Sequence, residues 1–235
     1  MKITTILFDL DGTLLPMDQD VFIKMYLKSL AKHMIKYGYD PNSLIKSIWA
    51  GTNDMILNNG VESNEKVFWN KFSQNYGAEK LKDESKFEEF YINEFPKLKE
   101  VCGYNPLIHE LFNVIRQKGL RIVLATNPIF PKIATKQRIE WAGLNYDDFE
   151  LVTTYENSKY AKPNVKYYQD IIFRLGIIPE ECLMVGNDVD DDMVARKIGI
   201  NTFLLTECLI NKNGVSIDKY KNGNMRCLIE YIKTI

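Results

Sequence analysis

The segment Phe8-Asp9-Leu10-Asp11-Gly12-Thr13-Leu14-Leu15 lies close to the amino terminus of a chain of 235 residues. It overlaps the end of the run Ile3 to Phe8, which is apolar except for two threonines. A short run rich in Ile, Leu and Phe is typical of a buried strand in a parallel sheet. Asp9 and Asp11 then emerge at the carboxyl end of that strand, the edge where open parallel sheets bind ligands. Two carboxylates held there repel each other, so the segment predicts a metal site or an acid/base site with a shared proton.

The composition is that of an ordinary globular protein, with 46% hydrophobic and 26% charged residues. The length suits one large domain, or a core with a modest second unit. A formal charge of −1 gives no indication of a nucleic-acid or polybasic membrane partner. We find no signal-peptide pattern and no apolar stretch long enough to cross a bilayer, and we expect no membrane partner. The four cysteines are far apart in sequence, which predicts reduced thiols in a cytoplasmic protein without zinc: Cys102, Cys182, Cys208 and Cys227.

Residues 17 to 98 show helical periodicity and no convincing strand pattern. The first predicted helix stops at Gly38, and the second begins at Pro41 and ends in the turn-rich segment Gly51-Thr52-Asn53-Asp54. The Trp and Phe residues of the region recur at helical spacing, which indicates apolar packing rather than a cofactor site. We therefore predict an all-helical insert over residues 17–98.

Strands and helices alternate in the rest of the chain. The predicted strands after the first are Leu120 to Ala125, Glu150 to Thr154, Cys182 to Val185 and Thr202 to Leu205. Helical patterns of suitable length separate them, which implies right-handed crossovers and a parallel sheet. We predict an α/β core, built from residues 1–16 and 99–235, in which helices cover the sheet.

Polar side chains follow several of these strands. Thr126 and Asn127 come after the second strand, and the acidic run Asp188 to Asp192 comes after the fourth. Lys162 lies in the loop after the third strand, just before a helix. Parallel topology brings all of them to the edge that holds Asp9 and Asp11. Carboxylates, a hydroxyl donor and a fixed cation together suit phosphoryl transfer, in which Mg²⁺ and a dianion must be held.

The four motifs, taken in order, resemble those of the haloacid dehalogenase superfamily of hydrolases: Asp9-x-Asp11-Gly12-Thr13, Thr126-Asn127, Lys162-Pro163 and the acidic loop after Gly186. The insert is similar to the C1-type helical cap of that superfamily. The resemblance implies a doubly wound, Rossmann-like core with a mobile cap. Dehalogenases of the superfamily lack the second aspartate, so the presence of Asp11 favours the phosphatase branch.

The resemblance also implies roles for the site residues. Asp9 would be the nucleophile and Asp11 the general acid and base. Thr126 and Asn127 would bind the substrate, and Lys162 would pair with both the phosphoryl oxygens and Asp9. Mg²⁺ would be held by Asp9, by the main-chain carbonyl of Asp11 and by the acidic loop.

The acidic loop leaves two assignments open. The commonest superfamily spacing places an aspartate directly after the glycine, where this chain has Asn187. A one-residue shift gives Asp188 and Asp192 to the metal, whereas the unshifted alignment gives Asn187 and Asp191. We favour Asp188 and Asp192 because a hard dication gains more from a carboxylate than from an amide.

A turn at Gly51 to Asp54 would correspond to the cap segment that contacts substrates in similar proteins. Asn53 or Asp54 would then bind the leaving group, the alternative being a plain loop.

The resulting prediction is a cytoplasmic, Mg²⁺-dependent phosphatase that hydrolyses a small phosphorylated metabolite through an aspartyl-phosphate. A sugar-phosphate mutase of the same superfamily is the nearest alternative. A non-catalytic or signalling phospho-acceptor protein is an alternative of another class. Neither the phosphoester nor the oligomeric state can be read from the sequence.

Overall fold

The computed structural model describes the backbone of residues 2–235 and their side chains except those of residues 78 and 81. Its strands are β1 (Thr5–Phe8), β2 (Arg121–Leu124), β3 (Leu151–Val152), β4 (Cys182–Gly186), β5 (Asn201–Leu205) and β6 (Lys221–Gly223). Its α-helices are α1 (Gln19–Met34), α2 (Pro41–Ile56), α3 (Asn64–Tyr76), α4 (Glu84–Asn93), α5 (Ile108–Gln117), α6 (Lys132–Trp141), α7 (Val165–Leu175) and α8 (Met225–Thr234). Short 3-10 helices occupy Ile35–Tyr37, Ala78–Asp83, Phe95–Val101, Tyr146–Asp148, Pro179–Glu181 and Met193–Ile198. None of the helices in this described part combines the length and apolarity that crossing a membrane requires.

The six strands form one sheet in the order β3-β2-β1-β4-β5-β6, and every neighbouring pair is parallel. The chain passes from β1 outward to β2 and β3, then returns to the other side of β1 through β4. This reversal next to β1 confirms the predicted doubly wound sheet. The sequence did not predict β6, because its three residues, Lys-Asn-Gly, lie at the sheet edge without an apolar side chain to reveal them.

Apolar side chains of the central strands alternate between two buried layers. On β1, Ile6 and Phe8 face the layer built with α5 and α8, whereas Leu7 faces the layer built with α7. Successive side chains of a strand point to opposite faces, so a strand covered by helices on both sides must be apolar throughout. The strand at the centre of the sheet therefore has no exposed residue, as the run before Asp9 indicated.

Between β1 and β2, all the elements of the described chain are helical. Asp18 and Asp40 begin α1 and α2 by accepting backbone hydrogen bonds at 3.0 and 2.9 Å, from Val21 and Ser43 respectively. The segments that enter and leave this region run side by side, with an antiparallel bridge between Met17 and Cys102. The division into a core and a cap at residues 17–98 remains a prediction.

The predicted turn at Gly51 to Asp54 is wrong, because α2 continues without a break to Ile56. Gly51 instead allows α2 to approach α3: a Cβ at this position would lie 2.6 Å from the ring of Phe68. Asp54 lies in the last turn of the helix and pairs with Lys71 of α3 at 3.6 Å. The small residue that suggested a turn is thus a packing residue.

Aromatic side chains join the helical region to the core. Tyr26 of α1 packs edge-on against Phe130 with ring centroids 5.3 Å apart, and Phe95 stacks on Trp141 of α6, also at 5.3 Å. A main-chain hydrogen bond of 2.9 Å from Glu65 to the Tyr155 carbonyl adds a polar link. The burial of the Trp and Phe residues of α3 and α4 confirms that they pack in a core.

We expect Gly51→Ala to destabilise the protein although alanine is the better helix former. The propensity gain is about 1 kcal/mol, whereas forcing a methyl group against the Phe68 ring costs about 1–3 kcal/mol. Urea denaturation followed by circular dichroism measures the balance. Lys46→Ala, at an exposed position of the same helix, is the control and should change stability by less than about 0.5 kcal/mol. A Gly51→Ala variant more stable than the wild type would contradict the close packing of α2 on α3.

Candidate active site

The topology places the sequence motifs around the carboxyl end of β1. Thr126 follows β2 on one side, the segment Asn187 to Asp192 follows β4 on the other, and Lys162 precedes α7. Their side chains line one small cavity of about 100 Å³. Seven of the predicted site residues meet there: Asp9, Asp11, Thr126, Asn127, Lys162, Asp188 and Asp192.

The Lys162 ammonium bridges two of the carboxylates. Its Nζ donates to Asp9 Oδ1 at 2.8 Å and to Asp192 Oδ1 at 2.6 Å. Lys162 is only 2% exposed. Burial by itself would lower the pKa of Lys162, but Asp192 and Asp9 outweigh that effect and hold the pKa well above its usual range. Lys162 is therefore a fixed positive charge at the floor of the cavity.

Asp192 is buried beneath the cavity and has both oxygens engaged. One oxygen accepts from Lys162, and Oδ2 accepts from the backbone N–H of Asp188 at 3.0 Å. Burial raises the pKa of Asp192, and the charge of Lys162 partly offsets the lost hydration. Gly186 is required here, since a Cβ would overlap the Asp192 carboxylate. Asp192 therefore positions Lys162 and the acidic loop.

Asp9 is held from its other side by a hydroxyl. Thr13 Oγ1 lies 3.2 Å from Asp9 Oδ2 and 3.0 Å from Asn187 Oδ1, and it is a possible donor to either oxygen. The Asn187 amide donates in turn to the Cys208 carbonyl at 2.6 Å. Gly12 passes directly over Asn187 with φ +83°, where a Cβ would overlap the amide and an L side chain would be strained. The turn after Asp9 is thus tied to the turn after β4.

Asp11 has a different partner, Arg138 of α6, which the sequence did not reveal. The guanidinium Nη1 contacts Asp11 Oδ2 at ion-pair distance, while Asp11 Oδ1 is buried without a hydrogen-bond partner. Burial raises the pKa of Asp11, Arg138 opposes the shift, and Asp9 adds to it. One oxygen is thus paired, and the other is free to carry a proton.

The side chain of Arg138 is entirely buried against Phe130, whose ring centroid lies 4.4 Å from the guanidinium carbon. It shares the buried face of α6 with Ala134, Ile139 and Trp141. An arginine on the apolar face of a helix was the available signal, since such a residue needs a buried acidic partner. The sequence does not tell which acid that is.

Thr126 and Asn127 are fixed mainly through their neighbours. The Thr126 carbonyl accepts from the Thr153 hydroxyl at 2.7 Å and from the Tyr167 hydroxyl at 2.9 Å. The Asn127 amide oxygen accepts from the backbone N–H of Lys162 at 3.3 Å. These bonds fix the backbone that presents Thr126 to the cavity.

The two other acidic side chains of the loop also line the cavity. Asp188 Oδ1 accepts the backbone N–H groups of Asp190 and Asp191 at 2.8 and 3.0 Å. Asp191 accepts from the Asn127 amide at 3.4 Å, and burial raises the pKa of Asp191 to about 6. Asn187, in contrast, has its amide engaged by Thr13 and Cys208.

The carboxylates that line the cavity carry more negative charge than the neighbouring cations neutralise, which suits a divalent cation. Among the described side chains, two cations, Lys162 and Arg138, contact the carboxylates that surround the cavity. These carboxylates are five in number: Asp9, Asp11, Asp188, Asp191 and Asp192. Among the described residues no three His, Cys, Asp or Glu side chains form a metal-binding cluster by themselves. Mg²⁺ commonly takes one or two carboxylates and completes its shell with other oxygens and water. The excess acidic charge is therefore suited to such an ion.

Two predicted substrate residues are not part of this cavity. Asn53 is exposed on α2, and Asp54 faces Lys71 of α3. Neither lines the site around Asp9. The expected approach of this segment to the site depended on a turn that the chain does not form.

A family model for haloacid dehalogenase-like hydrolases matches residues 3–199, more than half of the chain. The chain belongs to the haloacid dehalogenase-like hydrolases. This confirms the family that the four motifs indicated.

Among curated relatives of this hydrolase, the putative phosphatase YhcW of Bacillus subtilis is 28% identical over 122 residues, which cover 52% of this chain and 51% of that protein. The pyrophosphatase PpaX of Bacillus cereus is 24% identical over 225 residues, covering 94% and 90% respectively.

Among solved structures, a haloacid dehalogenase family phosphatase from Thermococcus onnurineus superposes on the hydrolase with a TM-score of 0.58 and 24% identity. The superposition covers 100% of this chain and 97% of that one. The fold of this phosphatase, including its helical region, is therefore similar to that of the hydrolase.

We expect Arg138→Met to destabilise the hydrolase by about 3–5 kcal/mol, because it leaves the Asp11 carboxylate buried without its cation. The double variant Arg138→Met/Asp11→Asn should recover part of that loss. Urea denaturation of the two single variants and the double variant gives the coupling energy. Lys136→Met, at an exposed position of the same helix, controls for the loss of one positive charge. Additive single effects would contradict a direct interaction between Arg138 and Asp11.

Asp191 makes the metal-free protein sensitive to pH. The pKa of Asp191 is about 6 in the folded state, above the ordinary value of 3.8, so between these pH values the folded protein binds more protons than the unfolded chain. The folded protein therefore loses stability as pH rises from about 4 to about 6. Asp191→Asn should remove this loss and be more stable than wild type by about 1–3 kcal/mol at pH 7.5. The advantage should be much smaller at pH 4.5. Urea denaturation in EDTA at both pH values measures the stability difference between Asp191→Asn and wild type, and the exposed Asp190→Asn is the charge control. A stability difference that is the same at both pH values would contradict the role of Asp191.

Proposed function

We propose that this hydrolase is a phosphatase that cleaves a small phosphorylated metabolite through an aspartyl-phosphate on Asp9. The proposal rests on one observation: the two carboxylates on either side of Leu10 have different partners, and only Asp11 keeps an oxygen without one. Asp9 is paired with a buried lysine, which places a fixed positive charge beside the attacking oxygen. Asp11 keeps one unpaired buried oxygen and a raised pKa, which suits a general acid.

In the first step, an Asp9 oxygen attacks phosphorus and the bond from phosphorus to the ester oxygen breaks. The proton on the Asp11 carboxyl passes to the departing oxygen, which leaves as the alcohol. In the second step, Asp11 accepts a proton from water as the water oxygen attacks phosphorus. The bond between phosphorus and Asp9 then breaks, which returns the Asp9 carboxylate and releases inorganic phosphate.

Other side chains of the cavity stabilise the transferring group. Thr126 is presented as a hydrogen-bond donor, and Lys162 supplies positive charge beside the attacking oxygen. Asp9, Asp188 and the Asp11 carbonyl would hold Mg²⁺, which would neutralise charge on the phosphoryl oxygens. Asp192 would act on that ion indirectly, because its oxygens are engaged by Lys162 and the Asp188 backbone. Gln19 donates to the Asp11 carbonyl at 3.1 Å, and the second lone pair of that oxygen would bind the ion.

The names of the relatives support the phosphatase assignment: YhcW is a putative phosphatase and PpaX a pyrophosphatase. The widely spaced cysteines, all free in the structure, support the cytoplasm as the place where the enzyme works.

We expect Asp9→Asn to lower kcat for 4-nitrophenyl phosphate by at least about 1,000-fold, since the amide cannot form the covalent intermediate. Asp11→Asn should still be phosphorylated by this substrate, whose leaving group needs no proton, but should hydrolyse the intermediate slowly. Intact-protein mass spectrometry would then detect one added phosphoryl group in Asp11→Asn and none in Asp9→Asn. EDTA should abolish turnover and Mg²⁺ restore it.

Asp190→Asn is the matched control, because Asp190 lies in the same acidic loop but is exposed and outside the cavity. Its turnover should stay within about twofold of wild type. Turnover that survives Asp9→Asn, or an Asp11→Asn protein that carries no phosphoryl group, would overturn the covalent mechanism.

A further inference from the structure

A second and much larger cavity lies between the helical region and the core. Its volume is about 850 Å³, within the range of sites that enclose a drug-sized organic molecule. Helices α1, α2, α3 and α4 form one side, and the segments around Phe130 and Tyr155 form the other.

This large cavity adjoins the catalytic one. Ile23, Ile129 and Phe130 line both. A phosphate ester bound with its phosphorus at Asp9 would therefore extend its alcohol portion past these three side chains. The small cavity around Asp9 has about one eighth of the volume and suits the phosphoryl group alone.

The walls of the large cavity are mainly apolar and rich in aromatic rings, among them Trp49, Phe68, Trp69, Phe87, Phe130 and Tyr155. Aromatic faces and edges bind other aromatic rings with more favourable energy than buried area alone provides. Charged side chains of both signs also line the cavity, four glutamates and three lysines: Glu65, Glu84, Glu88, Glu156, Lys82, Lys132 and Lys136. Recognition of a second phosphate needs clustered cations, and this nearly balanced set does not provide them.

We infer that the large cavity binds the alcohol portion of the substrate and that this portion is a bulky aromatic body. The inference rests on the proposed phosphatase function and narrows its substrate class. A substrate such as pyrophosphate would leave the aromatic walls in contact with water. An aromatic alcohol would bury them and place its ester oxygen beside Asp11.

The test compares two phosphate esters with the same kind of leaving group, ethyl phosphate and 2-(2-naphthyl)ethyl phosphate. Both release a primary alcohol, so intrinsic reactivity is matched. We expect kcat/KM to be at least about 100-fold higher for the naphthyl ester, the size of effect that an apolar pocket gives for a large added group. A wild-type enzyme that prefers ethyl phosphate or pyrophosphate would overturn the inference.

A cavity-filling variant separates binding in this cavity from general affinity for apolar compounds. Thr52 lines the cavity from α2 without belonging to the core. Thr52→Trp should lower kcat/KM for the naphthyl ester by at least about tenfold and leave that for ethyl phosphate within about twofold. Gln74→Trp, at an exposed position of α3 outside the cavity, is the matched control and should change neither. Equal effects of Thr52→Trp on both esters would overturn the inference. If Thr52→Trp does not fold, Ser85→Trp on the α4 wall of the cavity serves as the cavity-filling variant.

Calorimetry with the product alcohol distinguishes failure of this inference from failure of the proposed function. 2-(2-Naphthyl)ethanol should bind wild type and Gln74→Trp but not Thr52→Trp. Binding without hydrolysis of any ester would overturn the phosphatase function and keep the aromatic specificity of the cavity. Hydrolysis of both esters with equal efficiency, without binding of the alcohol, would keep the function and overturn the inference.

Discussion

Three buried charges, the Lys162 ammonium and the carboxylates of Asp9 and Asp192, hold the catalytic edge of this hydrolase together. The two carboxylates follow different strands, β1 and β4, and Lys162 comes from the loop before α7. Each carboxylate would be costly to bury without a cation, so both require the Lys162 ammonium, and Lys162 in turn requires them. The interaction therefore fixes the relative position of three distant segments of the chain. A site that must bind a phosphoryl dianion gains a cation that cannot move away.

The second ion pair, between Asp11 and Arg138, differs in its consequence. It engages one oxygen of Asp11 and leaves the other enclosed and unpaired. Two aspartates separated by a single residue thus have separate electrostatic environments. Lys162, the partner of Asp9, lies in the loop before α7, whereas Arg138, the partner of Asp11, lies on α6. Helix α6 also carries Trp141, which stacks on Phe95 of the helical region. The protonation of the proposed acid and the packing of the helical region consequently depend on the same helix.

The aromatic side chains between the helical region and the core both pack against each other and line the large cavity. Phe68, Trp69 and Phe87 pack against each other as core residues, and each also forms part of the wall of the large cavity. Large rigid side chains keep such a cavity open, because few of their rotamers would let them collapse into it. The small polar cavity around Asp9 and the large apolar cavity share Ile23, Ile129 and Phe130 as wall residues. In the proposed function, the helical region would select the substrate and the sheet edge would supply the chemistry.

The sequence by itself determined the family, five of the six strands and which polar side chains meet at the carboxyl end of β1. An apolar run ending in Asp9 and Asp11 identifies a buried strand and its ligand-binding end, because strand burial and chain direction are local properties. Contacts between distant segments were decided only by the tertiary structure. Gly51 resembles a turn residue in sequence and proved to be a helix contact with Phe68, and Arg138 gave no sign of its pairing with Asp11. The physical reason is that a glycine or a buried arginine is explained by the atoms packed against it, and those atoms belong to parts of the chain that only folding brings near.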